Sequence, residues 1–113
     1  MIKTEARMRY ISSVIIMAVV FLLNPSFARA EVKDADAYIN RGNAYYKKGQ
    51  HDRAIEDFNK AIALNPKLAE VYSNRGLAYG EKGQLDRTIS DVQKACDMGY
   101  ENGCKGLQMV KGR

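Results

Sequence analysis

The residue types that most often catalyse reactions or bind metals are scarce in this chain. Among its 113 residues there are one histidine, His51, and two cysteines, Cys96 and Cys104. A hydrolytic triad needs a nucleophile, a base and an orienting carboxylate, and a closed zinc site needs about four ligands. One histidine and two cysteines fall short of such a zinc site and leave a single histidine as a candidate base, and the chain has no glycine-rich phosphate loop. We therefore predict no catalytic residue, metal site, cofactor or enzymatic activity.

The sequence separation of the two cysteines, Cys-x7-Cys, bears on their chemistry. Redox-active pairs are usually Cys-x-x-Cys at the start of a helix. An even number of cysteines downstream of an export signal is typical of a structural disulfide. We expect Cys96 and Cys104 to be bridged, and the alternative of a thiol-disulfide protein that uses both thiols stays open.

The N-terminal segment, residues 1–30, has the order of a secretory signal peptide. Basic residues come first, an apolar run follows over residues 11–23, and the segment ends in Ala28-Arg29-Ala30. We expect cleavage after Ala30 and a periplasmic or secreted protein, with residues 31–34 as a linker. The alternative is a retained membrane anchor, but an apolar run of this length spans roughly 20 Å, short of a hydrocarbon core of about 30 Å. Met8 could also be the start of translation.

The positive charge of the full chain overstates that of the mature protein. Removing residues 1–30 takes Lys3, Arg7, Arg9, Arg29 and a single Glu with it, which lowers the formal net charge from +5 to +2. The remaining charges alternate in sign and form no basic stripe. We predict no nucleic-acid partner, and contact with a membrane only through the signal segment if it stays uncleaved.

One phrase occurs twice in the sequence. RGNAYYKKGQHDRAI begins at Arg41 and RGLAYGEKGQLDRTI begins at Arg75, with ten of fifteen letters identical. This offset corresponds to the period of about 34 residues that is typical of stacked helical hairpins. Apolar residues fall at helical spacing on both sides of a Lys-Gly-Gln turn in each unit, so residues 35–68 and 69–102 are each predicted to form helix, turn and helix.

Both units resemble tetratricopeptide repeats. The first unit matches the family pattern throughout, and the second departs from it in its second helix. The matching residues are Tyr38, Gly42, Tyr45, Ala54, Phe58, Ala61 and Pro66 in the first unit and Tyr72, Gly76, Tyr79 and Ala95 in the second. The departures are Thr88, Val92 and Tyr100. The resemblance implies an all-α, right-handed solenoid of αα-hairpins, in which His51 occupies a position that usually fills a gap between repeats.

The C-terminal segment resembles the cysteine-rich αα-repeat relatives of this family. In those relatives, Cys-x7-Cys ties the end of one helix to the start of the next, as Cys96 and Cys104 would do here. Gly99 would end the preceding helix. Residues 103–113 would then form a capping helix and tail, with the helix running over about residues 102–111, because the open end of a solenoid needs a cover.

The family resemblance implies a protein or peptide partner bound in a groove lined by the first helix of each repeat. The predicted groove residues are Asp36, Ile39, Asn40, Asn43, Tyr46, Lys47, Glu70, Ser73, Asn74, Leu77 and Glu81. The alternative is a structural accessory subunit of a cell-envelope complex. The sequence does not predict an oligomeric state.

Relatives that grip chaperone C-terminal tails use a clamp of lysines, asparagines and an arginine. Asn43 and Asn74 match the two clamp asparagines, whereas Ile39 stands at the first lysine position and a third repeat is lacking. A terminal carboxylate would be poorly compensated without those cations. We therefore expect Asn43 and Asn74 to hydrogen-bond the backbone of an extended segment, with apolar contact from Ile39, Tyr46 and Leu77.

Overall fold

The structure is a computed structural model that describes the backbone of residues 25–112 and the side chains of residues 34–112. Within this range the chain forms five helices and no strand. The helices are α1 (Pro25–Lys47), α2 (His51–Leu64), α3 (Ala69–Glu81), α4 (Leu85–Asp97) and α5 (Glu101–Lys111). Among these residues no helix is both long enough and apolar enough to cross a bilayer. The predicted signal-peptide residues up to 24, including Met8, and the last residue of the tail lie outside the described residues.

Residues Glu31–Arg113 form a compact unit of their own. The linker predicted at residues 31–34 is helical and continues directly into the rest of α1. This segment contains no glycine or proline that would end a helix, and glutamate and lysine are good helix formers.

Each predicted hairpin turn is present and is built on a glycine. Gly49 has φ 78° and Gly83 has φ 75°, a left-handed conformation that glycine adopts without a steric penalty. After Gly49, the backbone N–H of Gln50 donates a hydrogen bond to the carbonyl of Tyr45 at 2.9 Å. In the second repeat, the backbone N–H of Gln84 donates to the carbonyl of Tyr79 at the same distance, 2.9 Å. This is the Schellman arrangement, which satisfies the last carbonyls of one helix and turns the chain into the next.

Close packing within the first repeat centres on Phe58, which is 1 % exposed. It lies against Gly42, where a Cβ atom would come within 2.7 Å of the Phe58 ring. Ala54, Ala61 and Val71 complete this buried cluster. The family positions Gly42, Ala54, Phe58 and Ala61 therefore form the interior of the hairpin, with small residues where helices approach and a large ring filling the space between them.

The departures in the second repeat are compensated by their neighbours. Thr88 replaces a buried alanine and is 5 % exposed, and its hydroxyl donates to the carbonyl of Gly76 at 3.0 Å. Gly80 provides room for it, since a Cβ there would lie 3.3 Å from the Thr88 hydroxyl. Val92, 2 % exposed, takes the place of the phenylalanine. The second helix of this repeat, α4, is therefore packed.

The same ion pair joins the two helices of each hairpin. Arg41 binds both carboxylate oxygens of Asp57 at 2.7 Å, and Arg75 binds both oxygens of Asp91 at 2.8 and 2.7 Å. Both aspartates are buried, at 2 % and 5 % exposed. Bidentate pairing compensates the loss of hydration that burial imposes on a carboxylate. Arg75 also donates to Asn59 in α2 at 2.8 Å, which links the two repeats.

The capping helix α5 is fixed by a covalent bond and by close contact. Cys96 at the end of α4 and Cys104 in α5 form a disulfide with their α-carbons 4.5 Å apart, as predicted. Gly99 ends α4, and α5 begins at Glu101, just before the predicted start. Gly103 packs directly on Ala95. The chain is therefore an all-α helical-repeat solenoid of two hairpins and a capping helix.

Candidate partner-binding groove

Eight of the eleven predicted groove residues form one stripe on α1 and the corresponding stripe on α3. Members of each stripe follow one another at i,i+3 or i,i+4 spacing, so they share one face of their helix. The stripes are Asp36, Asn40, Asn43 and Lys47 on α1 and Glu70, Asn74, Leu77 and Glu81 on α3. We call these two sets together the groove stripes.

A hydrogen bond joins the two stripes near their middle. Asn74 donates from Nδ2 to Oδ1 of Asn43 at 3.3 Å. Both asparagines are half-buried, so each keeps part of its amide accessible to solvent. The two residues that match the clamp asparagines of chaperone-tail binders therefore lie side by side.

Tyr46 and Glu81 approach each other near the carboxyl end of α3. Burial, together with the charge of the nearby Glu81 carboxylate, raises the pKa of Tyr46 above its usual 10.0. Two predicted groove residues from different repeats therefore lie close together, although neither this proximity nor the Asn43–Asn74 bond could be derived from repeat position alone.

Accessibility differs strongly among the predicted groove residues. Leu77 is 51 % exposed, which is high for a leucine, and Asn40 is also exposed. Ile39 and Tyr46 are half-buried because they pack partly against the buried cluster around Phe58. They have less surface to offer a partner than Leu77 has.

Ser73 needs a correction, because it is only 7 % exposed and cannot contribute much to a binding surface. It holds the same repeat position as Ile39, which is half-buried. The difference arises because α3 packs against helices on both sides, α2 before it and α4 and α5 after it. Within the described residues, α1 has no preceding repeat to cover the equivalent position.

His51 packs beside Tyr46 of its own repeat, and its predicted role in filling a gap between repeats stays a prediction. Its ring lies 5.4 Å from the ring of Tyr46, tilted by 59°. Its Nδ1 atom is buried and has no hydrogen-bond partner among the described residues. No carboxylate or nucleophile is joined to it there by a hydrogen bond, so the arrangement needed for general-base catalysis is not assembled around it.

Other surface features of the described residues do not form a competing site. No group of three or more His, Cys, Asp and Glu residues among them is placed to hold a metal ion. A shallow depression of about 390 Å³ surrounds the turn before α4. It is lined by Gly83, Gln84, Leu85, Asp86 and Arg87, none of them a predicted groove residue.

The buried aspartates were not identified from the sequence. Asp57 and Asp91 lie one repeat period apart, and their partners Arg41 and Arg75 open the repeated phrase. That shared spacing was the available signal. They position α1 against α2 and α3 against α4, so they support the groove without being part of it.

Comparison with known families identifies the type of repeat that this chain contains. A sequence model described as "TPR repeat" matches residues 42–83, and one described as "Tetratricopeptide repeat" matches residues 69–98. A search of curated proteins found no match. Repeats of this kind support protein–protein interaction and are generally non-enzymatic scaffolds. The first match begins within α1 and extends through α2 and α3, and the second covers α3 and α4. Since the two matches together span residues 42–98, half of the 113 residues, the chain belongs to the tetratricopeptide repeat family.

Proposed function

We propose that this protein is an exported, non-enzymatic interaction module that binds an extended peptide segment or partner loop along the groove stripes of α1 and α3. The observation that carries this proposal is the hydrogen bond from Asn74 to Asn43. It holds two amide groups side by side at the centre of the groove before any partner is present.

The paired amides retain the groups that a peptide backbone needs. Nδ2 of Asn43 and Oδ1 of Asn74 take no part in the bond between the two residues. An amide nitrogen carries two donors and an amide oxygen has two acceptor lone pairs. A peptide bond offers one acceptor and one donor, so one extended segment can be bound by both asparagines. The exposed Leu77 side chain adds apolar contact on α3.

Affinity is expected to be modest. Only two helices contribute the groove stripes, and interfaces much smaller than about 1,200 Å² of total buried area are typical of transient complexes. Prior ordering of the two asparagines reduces the side-chain entropy lost on binding. The groove therefore suits a short segment that binds and dissociates rapidly.

Export is part of the same proposal. It rests on the signal-type segment, and it is supported by the compact unit that begins at Glu31, the residue after the expected cleavage point. N-terminal sequencing of the protein from the cell envelope should give Glu31 first. A product that still contains residues 21–23 would show a retained anchor instead.

The binding surface can be tested once a partner has been captured from the cell envelope by chemical cross-linking and identified by mass. The Asn43→Ala, Asn74→Ala double variant should bind it more weakly by about 1 to 3 kcal/mol, from two lost hydrogen bonds at about 0.5 to 1.5 kcal/mol each. Gln93→Ala removes an amide from α4, a second helix that contributes no groove residue, and should bind as the unmodified protein does.

Circular dichroism of both variants should match that of the unmodified protein, because neither change removes a buried apolar side chain. Unchanged affinity in the double variant with an unchanged spectrum would exclude the groove stripes as the binding surface. It would favour the alternative of an accessory subunit that docks through another face of the solenoid.

A further inference from the structure

We infer that the segment bound along the groove stripes is cationic, an extended peptide of another protein that presents Lys or Arg side chains. This inference rests on the proposed function and specifies the partner of the same groove. It is carried by the charges of the two stripes and by the availability of their carboxylates.

The groove stripes are acidic although the mature protein as a whole is basic. They contain Asp36, Glu70 and Glu81 against a single cation, Lys47, whereas the mature chain has a formal net charge of +2. Complementary charge across an interface mainly determines which partners associate and how fast. A positively charged segment is therefore favoured here and an acidic one is repelled.

These carboxylates are available to a ligand. Asp36, Glu70 and Glu81 are exposed, and the ion pairs found among the described residues use other carboxylates. Glu81 lies close to the Tyr46 hydroxyl, whose pKa burial and this carboxylate raise. An ionised carboxylate has about four lone-pair sites, so Glu81 can bind a cation as well.

The position of Glu81 is not explained by helix stability. Glu70 lies in the first turn of α3, where a carboxylate is favoured by the positive end of the helix dipole. Glu81 is the last residue of the same helix, where a carboxylate is disfavoured. A role in binding a cation accounts for a negative charge at this end of the groove.

The test uses three fluorescent peptides with the same extended backbone and the same apolar residues. They carry Lys, Gln or Glu at alternate positions. We expect the Lys peptide to bind most tightly, with an affinity that falls as salt is added. Glu70→Gln and Glu81→Gln should each weaken its binding by about two- to fivefold, which is typical of partly exposed ion pairs.

Matched controls are Glu56→Gln on α2 and Glu101→Gln on α5. Each removes an exposed carboxylate that pairs with a lysine at i+4 on its own helix, Lys60 and Lys105 respectively. Neither control should change binding of the Lys peptide by more than the measurement error, although all four variants alter the net charge by the same amount.

Each outcome has a distinct meaning. Equal binding of all three peptides that is lost in the Asn43→Ala, Asn74→Ala variant would refute the cationic partner and keep the groove. A Lys preference that the control variants reduce equally would reflect the charge of the whole protein and also refute the inference. Binding of none of the peptides at millimolar concentration would contradict both this inference and the proposed function.

Discussion

Asn74 in α3 donates a hydrogen bond to Asn43 in α1 across 3.3 Å, which joins the two repeats at the middle of the groove. Each residue restricts the rotamers of the other, so a partner does not have to order both side chains when it binds. The groove thus has a preset polar centre in the free protein. The contacts of the groove, of the buried ion pair and of the capping helix lead to five predictions.

The ionisation of Tyr46 should report the contact between the repeats. Its pKa is raised by burial and by the Glu81 carboxylate, so Glu81→Gln should lower this pKa toward the usual 10.0. The difference between tyrosinate absorbance titrations with and without Tyr46→Phe isolates this residue. An unchanged titration in Glu81→Gln would show that Glu81 does not act on Tyr46.

The sign of the accompanying stability effect follows from the raised pKa. A group that holds its proton more tightly in the folded state contributes its full stabilisation below the unfolded pKa, about 10 for tyrosine. That contribution is lost as the pH rises above about 10. Urea unfolding should therefore show a smaller loss of stability in alkali for Tyr46→Phe than for the unmodified protein.

The buried ion pair of the second repeat should be important for stability. Arg75→Met leaves the Asp91 carboxylate, whose side chain is 7 % exposed, without its cation, and should lower the free energy of unfolding by about 3 to 5 kcal/mol. Arg87→Met removes an exposed cation that lies 5.2 Å from the Tyr79 ring. This change should lower the free energy of unfolding by less than about 1 kcal/mol.

Urea unfolding followed by circular dichroism measures both changes. Adding Asp91→Leu to Arg75→Met should recover much of the loss, because no unpaired charge then remains buried. Equal effects of Arg75→Met and Arg87→Met would mean that the Asp91 pair is no stronger than a surface contact.

Replacing two glycines of α5 by alanine should change the stability of the protein in opposite directions. A Cβ at Gly103 would lie 2.7 Å from Ala95 Cβ and 3.0 Å from the backbone nitrogen of Cys96, so Gly103→Ala should destabilise the protein by about 1 to 3 kcal/mol. At Gly106 the nearest atom would be 3.5 Å away, an ordinary contact. Gly106→Ala should then stabilise α5 by up to about 1 kcal/mol through helix propensity.

Thermal unfolding of the two variants measures this difference, and the position of both glycines within one helix makes each the control for the other. Similar melting temperatures for Gly103→Ala and Gly106→Ala would contradict the close packing of α5 on α4.

The disulfide should stabilise the protein because it lowers the conformational entropy of the unfolded chain. Cys96 and Cys104 close a loop of about nine residues, for which the chain-entropy estimate is about 2.6 kcal/mol. The Cys96→Ser, Cys104→Ser variant should lose about that much stability in urea. Thiol counting on the unfolded, unreduced protein should find no free thiol, and two reactive thiols would show that the bridge is not formed in solution.

The repeat period and the local residue pattern predicted most of the fold. The hairpins, both glycine turns and the Cys96–Cys104 bridge were predicted from short-range sequence patterns. The buried pairs Arg41–Asp57 and Arg75–Asp91 were not predicted, because an aspartate in an amphipathic helix is normally assigned to the surface. Its burial here depends on the packing of the neighbouring helix.

The groove was predicted less completely than the fold. The family repeat position assigned Ser73 to the groove surface, but the exposure of a repeat position depends on which helices flank it. The Asn43–Asn74 bond depends on the register between α1 and α3, and a single sequence does not specify that register. Position in the repeat thus predicts which residues are near the groove, and packing decides how accessible each one is.

The most direct test of the account is the nuclear magnetic resonance spectrum of the side-chain amides in the 15N-labelled mature protein. The Lys peptide, or a captured partner segment, should shift the amide signals of Asn43 and Asn74 with one common dissociation constant, while the Gln93 amide of α4 in the same spectrum stays in place. Saturable shifts confined to residues of α4 and α5, with Asn43 and Asn74 unmoved, would contradict the groove as the binding site.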